Sequence, residues 1–99
     1  DYSYLCDGYT IWRDTEGFKM PLHEDNLSFF AACQIYLHGS TEGSKGTSFQ
    51  LKNGEMYEFP FEPNTGYFMD NKERIQHGCP TPVSAGATRL SLYVRYQAK

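Results

Sequence analysis

The sequence has almost no helical periodicity. Few windows repeat apolar residues at i, i+3 and i+4, and its nine glycines recur roughly every ten residues, which excludes a helical bundle. Positive charge is scarce and scattered. Nine Lys and Arg against twelve Asp and Glu leave a net charge of -3 and a pI near 5.5, with no basic run. Nucleic-acid binding by bulk charge is excluded on that ground. No apolar run approaches the ~20 residues of a membrane-spanning helix. No signal peptide is visible, although a chain that begins at Asp1 without Met says little about export. Cysteines are few and odd in number: Cys6, Cys33 and Cys79 stand at no metal-like spacing. They read as free thiols, which points to a reducing, cytoplasmic location. There is no internal repeat and no low-complexity tract.

What is present is aromatic and turn-rich. Ninety-nine residues make one domain, with 16% aromatic content against disorder. A chain of this size buries roughly 60–65% of its unfolded surface, enough for one modest core. Short β-rich runs read as strands over 9–13, 18–23, 28–37, 47–52, 55–59, 66–69, 75–78 and 88–96. The run at 28–37, SFFAACQIYL, reads as a strand buried on both faces, with a helix as its alternative. Residues 39–46, GSTEGSKG, read as a flexible loop, and 70–73 as a polar one. Asn53-Gly54 is the strongest hairpin signal in the chain. Eight short strands in this length predict an all-β double-stranded β-helix, a jelly roll of two antiparallel sheets with an open mouth.

The last strand has an unusual pattern. Arg89, Ser91, Tyr93 and Arg95 point one way, and Leu90, Leu92, Val94 and Tyr96 the other. The apolar face is expected to be the core. An arginine turned into a cleft needs a carboxylate or phosphate, because an unpaired buried charge costs roughly 3–5 kcal/mol. A second constellation involves His23 and Asp25. Two residues apart on an extended segment, they project to the same side. A histidine from a neighbouring strand, His77, would complete a face of two imidazoles and one carboxylate. That set leaves three positions of an octahedron open and suits Fe(II). His38, at a strand end, is expected to face solvent.

HxD at 23–25, a histidine about fifty residues later at 77, and RxS at 89–91 occur in this order. With them stand the segments PLHEDN, CQIYLHGSTEGSKGTSFQL, EPNTGYFMDNKERIQHGCPTPV and ATRLSLYVRY. Over roughly residues 9–97 the chain resembles the Fe(II)- and 2-oxoglutarate-dependent dioxygenases, in particular the prolyl-4-hydroxylase-like branch. The resemblance implies that His23, Asp25 and His77 hold Fe(II) and that Arg89, Ser91 and Tyr36 bind 2-oxoglutarate. Trp12 and Arg13 would line the substrate mouth. It further implies O2 as co-reactant, ascorbate as accessory reductant, and hydroxylation of a prolyl or other protein side chain, or of a small molecule. The family's N-terminal helices have no counterpart in these residues, so the expectation is either that upstream sequence has been removed or that this is a minimal member, in which the exposed sheet face could be covered by another protomer of a homo-oligomer. Asp25 favours hydroxylation over halogenation, since related halogenases carry a small residue there. Two other classes stand beside this reading. One is a non-catalytic jelly-roll module binding a ligand such as carbohydrate. The other is a cupin-type metal enzyme, whose HxH…E pattern is absent.

Overall fold

Eight strands, too short to bury an apolar face alone, pair as one long antiparallel hairpin and roll up. The computed structural model describes residues 4–26, 29–39 and 45–98, and the side chains among these except those of 4–7, 39 and 98. The strands are β1 (Tyr4–Asp14), β2 (Met20–His23), β3 (Ala31–Gly39), β4 (Lys45–Gln50), β5 (Met56–Pro60), β6 (Thr65–Asp70), β7 (Gln76–Cys79) and β8 (Arg89–Ala98). β1 pairs with β8, β2 with β7, β3 with β6 and β4 with β5, all antiparallel. Rolling this hairpin brings β3 beside β8 and β4 beside β7. Two four-stranded sheets result, ordered β1-β8-β3-β6 and β2-β7-β4-β5. This is the predicted jelly roll. Residues 31–39 form a strand, so the helical alternative does not hold.

Local chemistry explains the turns. Asn53-Gly54 joins consecutive strands β4 and β5, as expected. Gly54 takes φ +88°, and Asn53 Oδ1 accepts the Glu55 N–H at 2.9 Å. The predicted polar loop after β6 tightens into one 3-10 turn, Asn71–Glu73. Asp70 caps it by accepting the Lys72 N–H at 2.9 Å. The flexible loop expected at 39–46 lies mostly outside the described residues, and β4 already begins at Lys45.

Between the sheets, Phe49, Ala32 and Met69 form a small apolar core, with Phe59, Tyr67, Ile75 and Tyr93 packed against it. Phe49 meets Phe59 and Tyr67 edge-on, at centroid distances of 5.5 and 4.9 Å. The expectation that the apolar face of β8 forms the core is overturned here, while Arg89 and Ser91 do lie inside on one side, as expected of an arginine in a cleft. The polar face of β8 points into the barrel: Arg89 is 5% exposed and Ser91 1%. Leu90, Leu92 and Val94 are only half-buried, on the outer face. Register explains the inversion. Directly opposed residues share a face, so Leu92 stands with Ile11 and Ile35, both exposed, while Ser91 stands with Trp12 and Tyr36. No helix among the described residues is long and apolar enough to cross a membrane.

Candidate metal and carboxylate site

Antiparallel pairing sets His23 on β2 directly opposite His77 on β7. Opposed residues face the same way, so the two rings meet inside the barrel with centroids 4.7 Å apart. Asp25, two residues beyond His23, reaches back between them. Its Oδ1 lies 3.2 Å from His77 Nε2 and 3.6 Å from His23 Nε2. Among the described residues these three form a group whose donor atoms all lie within 4.8 Å of one another.

The backbone fixes which ring nitrogens face this point. His23 Nδ1 lies 2.9 Å from the Pro21 carbonyl, and His77 Nδ1 3.1 Å from the Ile75 carbonyl. A carbonyl only accepts, so each Nδ1 carries a hydrogen and each Nε2 faces Asp25; protonated, His77 Nε2 donates to the carboxylate, and neutral, it offers its lone pair to an ion at the same point. Metal-binding histidines are held in this way. Ligands at right angles with bonds near 2.1 Å stand about 3 Å apart, close to the two separations from Asp25. The donor set therefore fits a divalent transition ion. Gly78 lets the strands approach, since a Cβ there would meet the Pro21 carbonyl oxygen at 2.5 Å. Phe49 stacks on His77 at 5.7 Å and 24°.

Asp25 lies beyond the end of β2, where no ladder holds it. Arg74, in a left-handed conformation after the 3-10 turn, supplies the anchor. Its Nη1 donates to the Asp25 carbonyl at 3.2 Å, and its Nη2 to Glu24 Oε2 at 2.9 Å. Asn71 Nδ2 donates to the carbonyls of Asn26 and Phe29 at 2.9 and 2.8 Å. Tyr93 O–H donates to Asp25 Oδ2 at 3.5 Å.

Hydrogen bonding from His77 holds the Asp25 carboxyl below the usual carboxylate value, against the opposing effect of burial. Burial pulls His77 down, but its bonds to Asp25 and the Ile75 carbonyl prevail and raise it. Burial and the nearby Asp25 charge push Tyr93 up to about 12, so it remains a donor at neutral pH. These shifts set a pH dependence for protein kept metal-free with chelator. The stability from His77 is fully present below the ordinary imidazole value of 6.5 and is lost as pH rises through the raised value. The stability from Asp25 is present above 3.8 and is lost as pH falls through the lowered value. Calorimetry should therefore give a higher Tm near about pH 5.5 than near about pH 8, with the difference shrinking in His77→Gln. A flat profile in the parent protein would contradict the pairing.

The cluster opens into a cavity of about 240 Å³ lined by Trp12, Asp14, Gln34, Thr47, Tyr67, Tyr93 and Arg89 as well as His23, Asp25 and His77. That lies just below the roughly 300–1,000 Å³ of drug-sized ligand sites and suits a small molecule. Arg89 lines it as expected. Its guanidinium already has a carboxylate partner: Nη2 donates to Asp14 Oδ2 at 2.9 Å, and Nη1 donates to the Lys45 carbonyl at 2.6 Å. Ser91 and Tyr36 stand behind the wall. Ser91 Oγ accepts from Gln34 Nε2 at 2.9 Å. The Tyr36 hydroxyl donates to Thr47 Oγ1 and accepts the Thr47 N–H, both at 2.9 Å. Both residues therefore reach the cavity only through neighbours that line it. A Cβ on Gly46 would meet the Tyr36 hydroxyl at 2.6 Å, so that approach requires glycine. Of the expected mouth residues, Trp12 lines the cavity, whereas Arg13 shares the outer face with Leu90. His38 is exposed and outside the cluster. Cys33 and Cys79 are free, and the Cys6 side chain lies outside the description.

The sequence reading missed Asp14, Gln34, Thr47 and Tyr67. Gln34 carried a signal, as a lone amide within an apolar strand. It joins the wall together: its Oε1 accepts from Tyr67 O–H at 2.8 Å and from Thr47 O–H at 3.2 Å. Asp14 resembled a turn residue ahead of Thr15-Glu16-Gly17. No family model matches the chain, and no curated protein or solved structure matches it either.

Proposed function

We propose that the chain is the catalytic core of an Fe(II)- and 2-oxoglutarate-dependent oxygenase. One observation carries the reading: two imidazole Nε2 atoms and one carboxylate converge in a jelly-roll cavity that a buried arginine also lines. This set leaves three positions of an octahedral ion for a chelating 2-oxo acid and O2. When bound, Fe(II) supplies the activation of O2. The balanced overall reaction is R–H, O2 and 2-oxoglutarate giving R–OH, succinate and CO2. His23, Asp25 and His77 hold the ion, and Tyr93 steadies Asp25 through its hydroxyl. Arg89 receives the distal carboxylate, which a planar guanidinium grips better than an ammonium does. The half-exposed indole of Trp12 stands at the mouth, where the prime substrate enters. By the resemblance in the motifs, that substrate is a protein side chain, with prolyl the leading class. Free thiols at Cys33 and Cys79 suit a cytoplasmic, reducing setting.

The Asp14–Arg89 pair favours the alternative, a jelly-roll module that binds a ligand and turns nothing over, since the cavity's arginine is already neutralised. Turnover separates the two. With Fe(II) and ascorbate, the oxygenase converts 2-oxoglutarate to succinate slowly even without its prime substrate, and chelator or His77→Ala stops it. No succinate above background at any Fe(II) concentration would favour the binding module. Mass-spectrometric screening of peptides and metabolites for added oxygen then identifies the substrate.

A further inference from the structure

Arg89 is the residue on which cosubstrate binding depends in the oxygenase reading, and its surroundings are already anionic. Asp14 on β1 stands directly opposite Arg89 on β8. The two side chains are 12% and 6% exposed, and Asp14 takes one guanidinium nitrogen, Nη2. Nε is buried and makes no hydrogen bond. We propose that Asp14 is an internal competitor for the distal carboxylate of 2-oxoglutarate, holding Arg89 until the cosubstrate displaces it. The inference rests on the oxygenase reading of this cavity.

Three features support displacement over sharing. The first is access. A guanidinium this buried receives a second carboxylate only if a partner leaves. Its other partner, the Lys45 carbonyl, is backbone of β4 and is held by the ladder to β5. Asp14 is a side chain on the cavity wall, at the last position of β1, and the exposed turn of Thr15, Glu16 and Gly17 follows it. The second is the vacant donor. Nε and Nη2 lie on one edge of the guanidinium fork, and a carboxylate seated there accepts from both. Asp14 uses only Nη2, so an arriving carboxylate forms one more charge-assisted bond than the one it replaces. The third is charge. Asp25 already places a carboxylate in this cavity, so a dianionic ligand bound with Asp14 still in place would set two anions on one cation. Asp14 thereby acts as a filter. A 2-oxo acid with a distal carboxylate can displace it, and one without leaves the pair closed.

The test is anaerobic calorimetry with Mn(II)-loaded protein, using 2-oxoglutarate and 2-oxobutyrate, which lacks the distal carboxylate. Asp14→Asn keeps the shape and removes the charge. It should bind 2-oxoglutarate about tenfold tighter or more than wild type, with 2-oxobutyrate unchanged. Equal or weaker 2-oxoglutarate binding by a folded Asp14→Asn overturns the proposal and makes Asp14 a residue that only orients Arg89. Wild type gives a second readout that does not require the variant to fold. In Zn(II)-loaded protein the Arg89 Nε–H resonance should move downfield with 2-oxoglutarate and stay with 2-oxobutyrate. No movement at saturation overturns the proposal as well. If Mn(II) binds wild type and 2-oxoglutarate does not, the oxygenase reading falls and the competitor role falls with it. If 2-oxoglutarate binds and Asp14→Asn gains nothing, only the competitor role falls.

Discussion

Arg89→Met should cost this domain much of its stability before any ligand is considered. The methionine keeps most of the stem but loses the guanidinium, whose carbon stands 5.7 Å from the Phe61 ring centroid. It leaves Asp14 buried with no cation opposite, and breaking a buried pair from one side costs roughly 3–5 kcal/mol. For a domain of this length that lowers Tm by roughly 12–40 °C. The double variant Arg89→Met, Asp14→Leu should recover most of the loss, because an apolar pair of similar volume removes both desolvation costs. Thermal melts of wild type, single and double variants measure the coupling directly. A single variant that melts within a few degrees of wild type would show that Asp14 reaches water when its partner is gone. The same melts bear on the proposed 2-oxoglutarate binding. Loss of 2-oxoglutarate affinity in Arg89→Met alone can follow from unfolding, so only a folded variant isolates the carboxylate contact.

That coupling was invisible in the sequence, and the reason is physical. Alternation along β8 separates Arg89, Ser91 and Tyr93 from Leu90, Leu92 and Val94, but it does not say which set turns inward. The usual rule sends the leucines to the core. Here the barrel interior is a polar wall, and the leucines lie on an open outer face. Which way a strand faces is settled by register with β1 and β3, and register depends on the whole roll. Asp14 becomes a partner of Arg89 only through that register, across 75 residues of sequence. The strands themselves were legible because turns punctuate them, above all Asn53-Gly54. The cluster of His23, Asp25 and His77 was legible for a different reason. His23 and Asp25 share one short segment, so local geometry places them together, and His77 was the histidine left on a predicted strand. Arg74 and Asn71 were not legible. Asn71 lies in what reads as a polar loop and Arg74 directly after it, and only the 3-10 turn and the left-handed conformation of Arg74 aim them at residues 24–29.

His77→Ala should lower affinity for Mn(II) or Fe(II) at least about 100-fold, more than the tenfold to 100-fold typical of removing a residue that only supports a ligand. The structure gives the reasons in order. His77 is the most buried of the three, 7% exposed at the side chain against 13% for Asp25 and 39% for His23. Its ring is held twice, by the Ile75 carbonyl and by stacking on Phe49, so its Nε2 is aimed before any ion arrives. An alanine leaves Asp25 and the more exposed His23 as a two-point site that water competes with easily. Arg74→Ala is the informative comparison. It removes no ligand but frees the segment carrying Asp25, and it should cost roughly 10–100-fold. Titrating Mn(II) into both variants and following bound ion by electron paramagnetic resonance gives the two constants. A His77→Ala loss no larger than that of Arg74→Ala would mean that His77 is not a ligand. The pair Asp25 and His77 would then be a buried hydrogen bond in the wall of a binding pocket, and Arg89 in the same wall would answer only to Asp14 and the Lys45 carbonyl.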